Sequence, residues 1–111
     1  MDHNEITYDF YPVISVDDLI PGERIFIEID NMSIVLFNIA GDIYALEDRC
    51  THDEGPLGEG EIEGYEIICP RHGARFDVRD GRALTLPAIE PTRYFPIRIV
   101  DSQIEIGVPI E

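Results

Sequence analysis

Two short pairs of metal-type side chains constrain this chain more than any other feature. Cys50-Thr51-His52 and Cys69-Pro70-Arg71-His72 contain both cysteines and two of the three histidines among 111 residues, and sixteen residues separate the pairs. Thiolate and neutral imidazole are the side chains that best bind borderline and soft transition metals. A chain that carries them as two separated pairs must bring two loops side by side. The rest of the sequence therefore has to supply a frame for those loops.

A structural zinc site normally groups like with like, two cysteines followed by two histidines. Here each loop offers one of each, which suits a centre with two inequivalent irons, the thiolates on one and the imidazoles on the other. A zinc-bound interaction module remains the alternative from another class. At this point the sequence resembles the Rieske [2Fe-2S] proteins, whose motif is Cys-x-His, a spacer, then Cys-x-x-His. The resemblance continues through Gly73-Ala74-Arg75-Phe76-Asp77, Asp80-Gly81 and Leu86-Pro87-Ala88, about forty residues in all. It implies one [2Fe-2S] cluster per chain, with Cys50 and Cys69 on the inner iron and His52 and His72 on the outer one. It also implies that the segment around Pro87 covers the cluster.

The implied ligand set has an electrostatic consequence. Two ferric ions and two sulfides carry a net charge of plus two, which two thiolates cancel while imidazoles add nothing. Adding an electron to a neutral site costs less than adding one to a dianion, so such centres span about −150 to +300 mV. Rieske subunits of cytochrome bc complexes carry a serine and a tyrosine after the second histidine, and a cysteine in each ligand loop bonded to the other. The matching positions here are Ala74 and Phe76, and Gly55 and Arg71. Without hydroxyl donors to sulfur the reduced cluster is stabilised less, so the potential is expected near the low end of that span. The pattern resembles the ferredoxins of multicomponent oxygenases.

A ring-hydroxylating oxygenase also needs a mononuclear iron held by two histidines and a carboxylate. Once His52 and His72 are committed, only His3 remains, in a polar N-terminal stretch without ligand-type neighbours. The expected function is therefore that of a one-electron carrier with no catalytic residues. By resemblance its partners are an NAD(P)H-dependent flavoprotein reductase and a terminal ring-hydroxylating oxygenase. A small subunit of another redox enzyme, such as a nitrite reductase, is the alternative.

Charge narrows the choice of partners. Twenty-three carboxylates face eight arginines and no lysine, a net charge of −15. Nucleic acid and anionic membrane surfaces do not fit such a chain, whereas a basic protein surface does. Arg49 and Arg71 flank the ligands in this acidic background. They are expected to orient partners, or else to pair with Asp48, Asp53 or Glu54. No run reaches the length of a membrane span, the first residues do not resemble a secretory signal, and no cysteine is left for a disulfide. Cytoplasm is the expected location.

The hydrophobic period is two, so the fold class is all-β, a small antiparallel sandwich or barrel with a cluster-binding subdomain of two loops. One domain is expected over 1–111, with the cluster-binding part at about 46–88. Strands are predicted at Val13–Val16, Arg24–Ile29, Ser33–Ile39 and Ile43–Leu46, then at Arg93–Val100 and Gln103–Val108. Their turns fall at Asp30-Asn31, Ala40-Gly41 and Asp101-Ser102, with a further turn near Val16–Leu19. Glu66-Ile67-Ile68 leads into the second pair, and Arg75–Val78 leaves it toward a turn at Asp80-Gly81. Gly55 and Gly58 read either as serving the cluster, by close backbone approach or by turning N–H groups toward sulfur, or as turn residues, while Gly73 is expected to serve it. Gly60 and Gly64 read as ordinary turn residues.

Overall fold

A computed structural model describes residues 7–51 and 55–110. The strands are β1 (Tyr8–Ser15), β2 (Arg24–Ile29), β3 (Met32–Ile39), β4 (Asp42–Glu47), β5 (Ile62–Glu63), β6 (Glu66–Ile68), β7 (Arg75–Asp77), β8 (Tyr94–Phe95), β9 (Ile97–Val100) and β10 (Gln103–Pro109). They form three sheets, ordered β2-β3-β4-β8, β1-β10-β9 and β5-β6-β7. Every pairing is antiparallel.

The strand β3 organises these layers. Ile34, Val35, Leu36 and Phe37 form a continuous apolar run, and all four are buried. Successive side chains leave a strand on opposite faces, so the run feeds two cores. Ile34 and Leu36 pack with Leu19, Phe95, Ile104 and Ile106 beneath the β1-β10-β9 sheet. Val35 and Phe37 pack with Cys50, Leu57, Ile67, Cys69 and Phe76 on the opposite side. The four-stranded sheet is thus the middle layer, and the two ligand loops stand on one of its faces.

The hairpins follow from their turn residues. Asp30 and Asn31 have φ of 50° and 66°, and Asp101 and Ser102 have 51° and 66°. Two consecutive residues with positive φ give the turn whose twist matches the flanking strands. The predicted turn after β1 is a 3-10 turn over Val16–Asp18, capped by the Ser15 hydroxyl, which accepts the N–H of Asp17 at 3.3 Å.

Two predicted strands differ from expectation by more than one residue at an end. β1 begins at Tyr8, not Val13, because it pairs with β10 as far as Tyr8 opposite Pro109. It tolerates Pro12 as an edge strand, with a register shift between Pro12 and Ile14. The strand expected at Arg93–Val100 divides at Pro96, which has no N–H to give a ladder. The part before it joins β4, the part after it joins β10, and the carbonyl of Pro96 accepts the N–H of Gly107 at 2.8 Å. A single apolar stretch therefore ties the middle sheet to the outer one.

Candidate metal centre

Both ligand loops close in the same way. The N–H of Cys50 donates to the carbonyl of Gly55 at 2.7 Å, and the N–H of Cys69 donates to the carbonyl of Ala74 at 2.7 Å. Each bond spans five residues and encloses the histidine of its pair. His52 lies outside the described residues. In the second loop Gly73 has φ of +76°, and its N–H donates to the carbonyl of Cys69 at 3.0 Å. A Cβ at Gly73 would meet nothing within 4 Å, so the backbone angle, not space, calls for glycine there.

The loops sort their side chains by depth. Cys50 and Cys69 are 0 % and 1 % exposed, neither forms a disulfide, and both belong to one buried cluster with Leu57, Ala74, Phe76 and Ala88. His72 is exposed. Thiols facing the interior with an imidazole at the surface fit a dinuclear cluster whose thiolate-bound iron is inner and whose imidazole-bound iron is outer. Ala74 and Phe76, both fully buried, bring no side-chain donor to that cluster's surroundings. Among the described residues no three His, Cys, Asp or Glu side chains gather around a single point.

The spacer between the loops is anchored to the sheet by two charged residues, Asp48 and Arg24, to which the sequence assigned no such part. One carboxylate oxygen of Asp48 accepts the N–H groups of Leu57, at 2.8 Å, and of Gly58. Arg24, on β2, lies 5.4 Å from the centre of the Phe37 ring and donates to the carbonyls of Gly58 and, at 2.7 Å, Gly60. The Gly58 N–H is therefore given to a carboxylate and not to sulfur. Gly60 also departs from its expected role as a plain turn residue, since a Cβ there would lie 1.9 Å from the carbonyl oxygen of Ile68. The spacer runs against the strand that delivers Cys69, and only glycine allows that approach. Gly64, with φ of +62° and open space around it, is the ordinary turn glycine it was read as.

The segment after β7 closes over the same region. Thr51 donates its hydroxyl to the carbonyl of Glu90 at 2.6 Å, and the N–H of Arg75 donates to the Thr85 hydroxyl at 2.9 Å. Between these ties Ala88 is buried among the residues that surround both cysteines, as a covering segment would be. Leu86 and Ile89 on either side point outward, 77 % and 79 % exposed.

Behind the second loop Asp77 is 3 % exposed and takes a fork from Arg79, with Nε at 2.9 Å and Nη2 at 2.8 Å, while Arg82 lies at 3.6 Å. Hydrogen bonds from Arg79 hold this carboxyl below its ordinary range, against the upward push of burial. Arg75 reaches Glu63 at 2.9 Å and Glu66 at 3.2 Å, joining β7 to β5 and β6. Of the two arginines expected near the ligands, Arg49 sits 4.0 Å from the Glu47 carboxylate and Arg71 lies against Gly55. Five of the eight arginines fall between residues 71 and 93, so the second ligand loop is the least acidic part of an acidic chain.

The profile of the Rieske [2Fe-2S] domain matches residues 9–96. The chain is 30% identical over 103 residues to the ferredoxin component of a naphthalene 1,2-dioxygenase system from Pseudomonas putida, covering 93% of this chain and 99% of that one. It superposes with a TM-score of 0.81 at 29% identity on the ferredoxin of carbazole 1,9a-dioxygenase from Nocardioides aromaticivorans IC177, covering 87% and 95%. A complex of reduced oxygenase and oxidized ferredoxin in carbazole 1,9a-dioxygenase contains a chain that matches with a TM-score of 0.81 at 26% identity, covering 88% and 92%. Two mixed Cys/His loops, closed alike on a three-layered antiparallel frame, agree with these likenesses: the chain belongs to the Rieske [2Fe-2S] domain family.

Proposed function

We propose that this chain is a one-electron carrier and not a catalyst, acting as a single cluster domain. Its [2Fe-2S] cluster is held by Cys50 and Cys69 on the inner iron and by His52 and His72 on the outer one. It takes electrons from an NAD(P)H-dependent flavoprotein reductase and gives them to a terminal ring-hydroxylating oxygenase. The observation that carries this reading is the sorting of the ligand loops, with both thiols buried and His72 at the surface. When bound, the cluster supplies a site that accepts and returns one electron with little change in its surroundings.

The chain's own residues do the rest. The loop-closing bonds at Cys50 and Cys69 fix the ligand backbones, Ala88 and Phe76 limit water behind them, and Asp48 and Arg24 hold the spacer. Leu86 and Ile89 offer a partner an apolar contact on the segment that carries the buried Ala88. Relatives named as ferredoxin components of dioxygenase systems support the choice of partner class. No helix among the described residues is long and apolar enough to cross a membrane, and the cytoplasm is the proposed location.

Stopped-flow spectroscopy with a flavoprotein reductase and a terminal oxygenase of a ring-hydroxylating system tests the assignment. Reductase with NADH or NADPH should bleach the cluster, and oxygenase should restore its colour. A cluster that neither protein reduces or reoxidises would refute the carrier role.

A further inference from the structure

The guanidinium of Arg71 stands where a side chain on Gly55 would be. A Cβ placed on Gly55 would fall 2.1 Å from Nη2, 2.5 Å from Cζ and 2.9 Å from Nη1 of that side chain. What position 55 lacks is room for a side chain, and the arginine takes that room. The two residues belong to different ligand loops. The Gly55 carbonyl accepts the N–H of Cys50 and so closes the first loop, while Arg71 lies between Cys69 and His72 in the second.

We propose that Arg71 and Gly55 form a non-covalent clasp between the two ligand loops, which sets how long the protein retains its cluster. Arg71 is then a positioning residue, acting through the spacing of the loops. This inference rests on the cluster assignment made above. The release of iron needs the loops to part, and surface loops part by local opening that costs far less than global unfolding. Parting them here first moves a planar cation away from the residue whose missing side chain makes room for it. Guanidinium suits the role because it is rigid, weakly hydrated and charged at every working pH, whereas a lysine ammonium would keep its water and leave the groove.

The test is a double-mutant cycle on the oxidised holoprotein, challenged with an iron chelator and followed by loss of visible absorbance. Gly55→Ala evicts the guanidinium while keeping the charge, Arg71→Lys keeps the charge but not the plane, and Arg71→Ala removes both. Each is expected to lose iron several-fold faster than the unmodified protein. The double variant Gly55→Ala/Arg71→Ala should lose it no faster than Arg71→Ala alone, because a clasp can be opened only once. Electron paramagnetic resonance of the reduced variants should show Gly55→Ala and Arg71→Ala displacing the g-values in the same sense, which a general loss of stability would not do. Gly55→Ala releasing iron at the unmodified rate would overturn the clasp, as would effects of the two substitutions that multiply. Failure of the cluster assignment would show separately, as an unmodified protein without iron.

Discussion

The carbonyl of Ala74 accepts the N–H of Cys69 at 2.7 Å, so that residue 74 both closes the second ligand loop and buries its methyl group beside the cysteines. A hydroxyl placed there would have the cluster's sulfur side as its natural acceptor. Ala74→Ser is therefore predicted to raise the reduction potential, and Phe76→Tyr to raise it again. The unmodified protein should lie near about −150 mV, the low end of the span for such centres. Protein-film voltammetry measures all three. A potential above about +100 mV in the unmodified protein would mean that burial or net charge, not the absent hydroxyls, dominates.

Leu86 and Ile89 are the most exposed large apolar side chains among the described residues, and they flank the buried Ala88. Leu86→Glu/Ile89→Glu should slow electron transfer to the oxygenase at least tenfold, a loss of about 1.4 kcal/mol at the encounter. The visible spectrum and potential should stay as they were. Equal stopped-flow rates would show that the partner docks elsewhere.

Asp77 gives the fold a pH dependence of definite sign. Its carboxyl is held below the ordinary range by Arg79, so its contribution is complete above the unfolded value of about 3.9 and is lost as pH falls through the lower folded value. Asp77→Asn should cost about 2 kcal/mol at neutral pH, the scale of a charged hydrogen bond to a buried group. The gap between the two proteins in urea denaturation should narrow from pH 5 downward. A gap that stays constant to pH 3 would remove Asp77 from the acid transition.

Gly60 has no room for a side chain against the Ile68 carbonyl. Gly60→Ala should destabilise the fold by about 1–3 kcal/mol through displaced backbone and should loosen the strand that carries Cys69. Thermal melting of the holoprotein reads the first effect and iron loss on standing reads the second. An unchanged melting temperature would mean that the spacer shifts freely.

Much of this was legible in the sequence because the relevant signals are local. Two-residue turns such as Asp30-Asn31 fix their hairpins by chain chemistry alone, and the spacing of Cys50, His52, Cys69 and His72 identifies the loops before any fold is known. The misreadings arise where a distant partner decides. Nothing near Gly60 in sequence announces the Ile68 carbonyl, and nothing near Asp48 or Arg24 says that they reach Leu57, Gly58 and Gly60. Pro96 did carry a usable signal, since a proline inside an apolar stretch demotes a strand. Its consequence, one stretch shared between two sheets, appears only once β4 and β10 are in place.

The ligand set itself is tested most directly by metal analysis joined to electron paramagnetic resonance of the purified protein after dithionite. Two irons and two labile sulfides per chain are expected, with a paramagnetic resonance signal that appears on reduction. Iron, sulfide and signal should all be lost in Cys50→Ser and Cys69→Ser. A colourless protein with stoichiometric zinc and no signal would contradict it.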